Sequence, residues 1–247
     1  MRIPKKLAIA LVGASVAAIS FSSVASAAHY SLVGDAAVVG GGNPGNAAQI
    51  RSSAVAPGYG GVLVDVAPTA WADFDILSTD FNVTDDDCGG GSPRVQIRID
   101  TTGDGISDGS VRVALGPSPN FTDCALGWQS SGNLIGNEDA GRYDYSVFGG
   151  SPFTTYSNAP AAVASGNVVG VFIVVDGSWS AAATGGDGEQ TVLIDNINAN
   201  GHLTTFDPPQ PANKDECKNG GWQDLQRADG GTFKNQGDCI QYVNTGK

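Results

Sequence analysis

The chain has 247 residues with 35 glycines, about twice the usual share, and a net charge of −12 from 13 basic and 25 acidic side chains. This balance excludes a nucleic-acid-binding role, which needs Lys and Arg to neutralise phosphates. An apolar content of 41% excludes a disordered acidic tail.

The chain opens with Met-Arg-Ile-Pro-Lys-Lys, continues with an apolar run from Leu7 to Phe21, and reaches Ser22-Ser-Val-Ala-Ser-Ala27. A basic start, a short apolar stretch and a small-x-small ending are the parts of a secretory signal peptide, here spanning 1–27. The run is too short for a membrane span, and no later one approaches 18 residues, so no span is expected after signal removal. Cleavage after Ala27 removes Arg2, Lys5 and Lys6 and no acid, taking the net charge from −12 to −15. A secreted, extracellular protein is the expectation.

Residues 28–206 read as one all-β domain. Val95, Ile97 and Ile99 alternate with Arg94, Gln96 and Arg98, and Val111, Val113 and Leu115 continue the period after a turn. Tyr143, Tyr145 and Val147 alternate with Asp144 and Ser146, and Val168–Val175 is an almost unbroken apolar run suited to a central strand. Asn158–Ala164 allows one helical turn and no more. About ten short strands punctuated by Gly, Asn, Asp and Ser predict an antiparallel β-sandwich of two sheets. The stretch Val168–Asp176, Gly177-Ser-Trp179 and Gln190–Gly201, with its Ile194-Asp-Asn-Ile197 core, resembles the closing strands of bacterial extracellular jelly-roll domains, many of them carbohydrate-binding modules. The resemblance implies a jelly-roll-like fold and a carbohydrate as one possible class of partner.

Between two strands lies Asp100-Thr-Thr-Gly-Asp-Gly-Ile-Ser-Asp-Gly109. Asp100, Asp104 and Asp108 offer hard carboxylate oxygens and Thr102 another, as Ca²⁺ requires. The loop resembles the Asp-x-Asp-Gly-Asp-Gly-x-x-Asp repeats of extracellular calcium proteins, with Thr102 where an Asp is usual and Val111 in place of the distal Glu. A structural Ca²⁺ is one reading and a solvated Asp/Gly turn the other.

Four cysteines in an oxidising compartment form disulfides. The Pro-rich break at 207–213 separates Cys88 and Cys124 from Cys217 and Cys239, so the pairing Cys88–Cys124 and Cys217–Cys239 keeps each bridge in its own unit. The tail, 214–247, contains Cys217-Lys-Asn-Gly-Gly-Trp222 and Phe233-Lys-Asn-Gln-Gly-Asp-Cys-Ile-Gln-Tyr-Val243. It is similar to the Cys-Lys-x-Gly-Gly-Trp … Phe-x-Asn-Gln-Gly-x-Cys-x-x-Tyr-Val ending of secreted bacterial, notably actinobacterial, proteins. Two short helices held by Cys217–Cys239, with Trp222 between them, would form its mini-core.

Nothing singles out a catalytic centre. The chain has two histidines, His29 and His202, and no His-Glu-x-x-His motif. Sugar-stacking aromatics are sought instead at Trp128, Trp179, Tyr156 and Trp71. The sequence therefore points to a secreted, non-catalytic surface- or matrix-binding protein, with a carbohydrate-binding module-like protein as the alternative and a polysaccharide-active enzyme behind both.

Overall fold

The computed structural model describes residues 30–89, 91–176, 188–228 and 230–247. Segment 1–27, expected to be a signal peptide, and Trp179 lie outside the described residues.

The strands are β1 (Tyr30–Gly34), β2 (Ala36–Gly42), β3 (Gly45–Ser53), β4 (Tyr59–Ala70), β5 (Leu77–Asp85), β6 (Arg94–Asp100), β7 (Gly109–Ala114), β8 (Gln129–Ser130), β9 (Tyr143–Asp144), β10 (Asn167–Asp176), β11 (Glu189–Ala199) and β12 (His202–Thr204). They form two antiparallel sheets. One has the order β1-β4-β10-β6-β7-β9; the other runs β2-β3-β11-β5-β8, with β12 beside β11. The protein is an all-β, jelly-roll-like sandwich with a small disulfide-closed C-terminal appendage.

The period-two pattern explains the layering. In β6, Val95, Ile97 and Ile99 point inward and are fully buried, while Arg94, Gln96 and Arg98 face outward. Val111 and Val113 of β7, Val171 and Ile173 of β10, and Val192 and Ile194 of β11 complete the layer between the sheets. Burying each such side chain contributes about 1.5–3 kcal/mol.

The alternation at Tyr143–Val147 ends earlier than expected. β9 stops at Asp144, whose carboxylate accepts from the Ser146 N–H and turns the chain into a 3-10 segment at Ser146–Phe148. Tyr143 and Tyr145 still both reach the core, where their rings stack. The single helical turn expected near Ala164 is α1 (Ala161–Ala164).

Both disulfides pair as expected from the Pro-rich break, Cys88–Cys124 and Cys217–Cys239. The tail has its own small core of Cys217, Leu225, Phe233 and Cys239, with Trp222, Ile240, Tyr242 and Val243 packed against it. Its helix α2 (Gln236–Thr245) is capped by Asn235, whose side chain accepts from the Asp238 N–H, and it is preceded by a 3-10 turn at Gly221–Asp224.

Candidate binding groove

The outer face of the first sheet carries a groove of about 730 Å³ at the end where β6, β7 and β9 meet the loops. That volume is within the range of small-molecule and oligomer sites. Strand alternation supplies its floor: Arg94 from β6, Arg112 and Ala114 from β7, and Asp144 from β9 all point outward. Asp176 closes β10, and Gly91–Pro93, Pro119–Phe121, Gly141, Arg142 and Phe153 form the walls.

The polar groups are held in place by pairing. The Arg94 guanidinium meets the Asp176 carboxylate and also donates to the Gly91 carbonyl at 3.0 Å. Arg112 faces Asp144 at 3.5 Å across the β7–β9 register. Arg142 is 7% exposed and bonds the Asp139 carboxylate at 2.7 Å and the Ala114 carbonyl at 2.8 Å. Its guanidinium lies 4.8 Å from the centre of the Phe121 ring. Burial pushes the Asp144 carboxyl up, but the Ser146 hydroxyl and N–H and the Arg112 guanidinium outweigh it and hold its pKa below the ordinary value.

The backbone marks the same place. Seven described residues other than glycine have a positive φ. Five are Asn or Asp, which visit the left-handed region readily. The other two are Phe121 (φ 57°) and Phe153 (φ 51°), and both line the groove. An aromatic residue held there stores of the order of 1–3 kcal/mol. Phe153 is also 79% exposed, so no core packing offsets that strain.

The residues expected from sequence fall elsewhere. Trp71 is buried and stacks on Tyr156 with centroids 5.2 Å apart, and Tyr143 meets the Tyr156 ring edge-on. Trp71 is therefore a correction: its faces belong to the interior, and those of Tyr156 are largely occupied by its neighbours. Trp128 is half-buried and donates its indole N–H to the Gly41 carbonyl beside the other sheet.

In the Asp100–Asp108 loop, Asp100 and Asp108 approach the same Thr102 N–H, while Asp104 binds apart from them. Asp100 accepts from the N–H groups of Thr102, Gly103 and Gly105 and from the Thr102 hydroxyl. Asp108 accepts from the Thr101 hydroxyl and from the N–H groups of Thr101 and Thr102, and Asp104 from that of Ile106. The acids organise the loop by binding its own amides.

Among the described residues, a cluster with three potential ligand atoms within 4.8 Å is Asp87, Cys88 and Cys124, whose sulfurs are spent on the disulfide. A second acidic group, Asp80, Asp195 and Asp207, lies at the β2–β3 hairpin on the other sheet. Asp195 accepts from the Asn43 and Asn196 N–H groups, Asp80 from the Asn43 and Asn196 amides, and Asp207 from the Asn46 N–H. Burial raises the Asp195 pKa, those two N–H groups oppose it, and Asp207 and Asp80 raise it further.

Sequence reasoning missed the groove because Arg94, Arg112 and Asp144 were legible only as the polar faces of strands. One local signal existed. Phe121 and Phe153 stand in Pro119-Asn-Phe and Gly-Ser-Pro-Phe153, turn-rich stretches where an aromatic has no strand to belong to.

No family model and no curated protein matches the chain. Solved structures do resemble it. A family 11 carbohydrate-binding module of the cellulosomal cellulase Lic26A-Cel5E of Clostridium thermocellum is 12% identical with a TM-score of 0.37, over 74% of this chain and 94% of that one. The family 11 module from Clostridium thermocellum in complex with a β-1,3-1,4-mixed-linked tetrasaccharide is 11% identical with a TM-score of 0.36, over 70% and 89%. An exo-β-agarase is 14% identical with a TM-score of 0.35, over 74% of this chain but 24% of the agarase. The functional reading rests on the chain's own residues.

Proposed function

We propose that this chain is a secreted, non-catalytic binding protein that holds a carbohydrate of a surface or matrix in the groove over β6, β7 and β9. The observation that carries the reading is the pair of strained phenylalanines, Phe121 and Phe153, on the walls of one groove. Strain of this kind persists where a position is needed for something other than stability. A sugar ring has apolar faces and a rim of hydroxyls. The groove offers aromatic surface for the first, and fixed donors and acceptors in the Arg94–Asp176 and Arg112–Asp144 pairs for the second.

A glycosidase would use a carboxylic acid with a raised pKa beside a second carboxylate. Asp144 is held low and paired with Arg112, and Asp176 is paired with Arg94, which favours binding over hydrolysis. The two disulfides suit an oxidising compartment, and among the described residues no helix is long and apolar enough to cross a membrane.

A glycan array probed with the wild-type protein and with Phe153→Gly tests the proposal. Wild type is expected to retain a defined set of glycans. The variant should lose at least tenfold in affinity while its melting temperature holds or rises, because glycine relieves the left-handed strain. A blank array, or equal binding by both proteins, overturns the reading.

A further inference from the structure

We propose that the glycan is acidic, a uronate-bearing polysaccharide, and that its carboxylates are received by Arg98 and Arg112 on the outer face of the first sheet; this rests on the groove being the carbohydrate site. The sandwich, 28–206, contains five basic side chains, Arg51, Arg94, Arg98, Arg112 and Arg142, against nineteen acids. Three of the five, Arg94, Arg112 and Arg142, line the groove, and Arg98 stands four residues beyond Arg94 on the same outer face of β6. So uneven a distribution makes this face the part of the sandwich where an anion meets cations first.

The four arginines are not equivalent. Arg94 and Arg142 are nearly enclosed and are fastened by Asp176, Asp139 and backbone carbonyls. Arg112 reaches Asp144 only at 3.5 Å and its side chain is 49% exposed. The Arg98 side chain has no ion pair or hydrogen bond among the described residues, although acids outnumber bases almost fourfold in the sandwich. Arg98 and Arg112 therefore keep donors for a ligand.

Register places them together. Arg98 is opposite Ser110 and Gln96 is opposite Arg112, so Arg98 and Arg112 are diagonal neighbours on one face. Such neighbours lie roughly 7–8 Å apart and repel one another, a repulsion that a carboxylate between them reverses. A guanidinium presents a planar fork that matches a carboxylate in two parallel hydrogen bonds.

Two glycines flatten the adjoining floor. A Cβ on Gly61 would come within 2.5 Å of the Phe172 ring, so that ring lies over Gly61 on β4. A Cβ on Gly170 would stand 3.4 Å from Arg98 Cδ, so the arginine stem lies along Gly170 on β10. By register Phe172 is beside Gln96, with Arg112 next in the same row. A flat aromatic and two guanidinium groups on one continuous face suit a ring with a carboxylate at its edge.

The test uses the full secreted protein in EDTA and polygalacturonate, alginate and hyaluronate as probes, with carboxyl-reduced polygalacturonate as the neutral match. Affinity gel electrophoresis should show retention on at least one polyuronate, and for polygalacturonate at least tenfold tighter binding than for its reduced form. Arg98→Gln and Arg112→Gln should each weaken polyuronate binding roughly tenfold or more, the loss expected from removing a charge-assisted partner, with melting temperature unchanged. Equal binding of acidic and reduced polymer, polyuronate binding untouched by both variants, or tighter binding to dextran sulfate overturns the inference. If neutral glycans bind in a Phe153-dependent way while polyuronates do not, this inference fails and the groove reading stands. If no glycan of either kind binds, the groove reading itself fails.

Discussion

Individual carboxylates in this protein do opposite things according to what surrounds them. Burial raises the Asp100 pKa, but the N–H groups of Gly105, Gly103 and Thr102 more than cancel it, so the folded value lies below the ordinary 3.8. A depressed folded pKa stabilises the fold above the unfolded value, and that contribution is lost as pH falls through the folded one. The amides of Thr102, Gly103 and Gly105 should thus be protected from hydrogen exchange at neutral pH in EDTA. Their protection should disappear as pH drops below 3.8 and through the lowered value. Amides protected only when Ca²⁺ is added would return the loop to a metal role.

Asp195 has the reverse sign. Its raised pKa means that its charge opposes folding, a penalty absent in acid that grows as pH rises through 3.8 and on through the folded value. Asp80→Asn removes one of the two acids facing it, and the Asp195 titration followed by carboxyl-carbon NMR should move toward the ordinary value. An unmoved midpoint would show that Asp80 does not contribute to it.

At the scale of elements, strands and bridges were legible where the signal was local. Alternation in β6 and β7 and the apolar run of β10 named their inward faces, and the Pro-rich break assigned the disulfides. What escaped depends on distant partners. Trp71 sits in a polar stretch, Thr69-Ala-Trp-Ala-Asp73, that says nothing of the Tyr156 ring waiting for it more than eighty residues on. The Asp100 loop carried the composition of a calcium site, but composition does not tell whether a carboxylate faces an ion or its own backbone. The groove escaped for a related reason: its walls come from four separate segments that only the folded sheet assembles.

The core residues of the tail form a cluster apart from the sandwich core. On the loop-entropy model, a bridge with 22 residues of separation contributes about 3 kcal/mol. So small a core has little else to hold it. The Cys217→Ser/Cys239→Ser double variant should lose amide protection across α2 while the melting transition of the sandwich moves by less than about 2 °C, a shift well under ~1 kcal/mol. A sandwich that melts earlier in step with the tail would show the two to be energetically coupled.

For the whole molecule, the sandwich does two jobs with its two sheet faces. Inward side chains fuse the sheets into one core, and the outward face of β6, β7 and β9 is left to loops that bring strained phenylalanines and fixed arginine–carboxylate pairs to one groove. The most direct test is an NMR titration of the uniformly ¹⁵N-labelled protein with a glycan retained on the array. The account predicts that amide shifts concentrate at Phe121, Gly141, Arg142, Phe153 and the outer positions of β6 and β7. Shifts centred on β2, β3, β5 and β11, or none at saturating glycan, would contradict it.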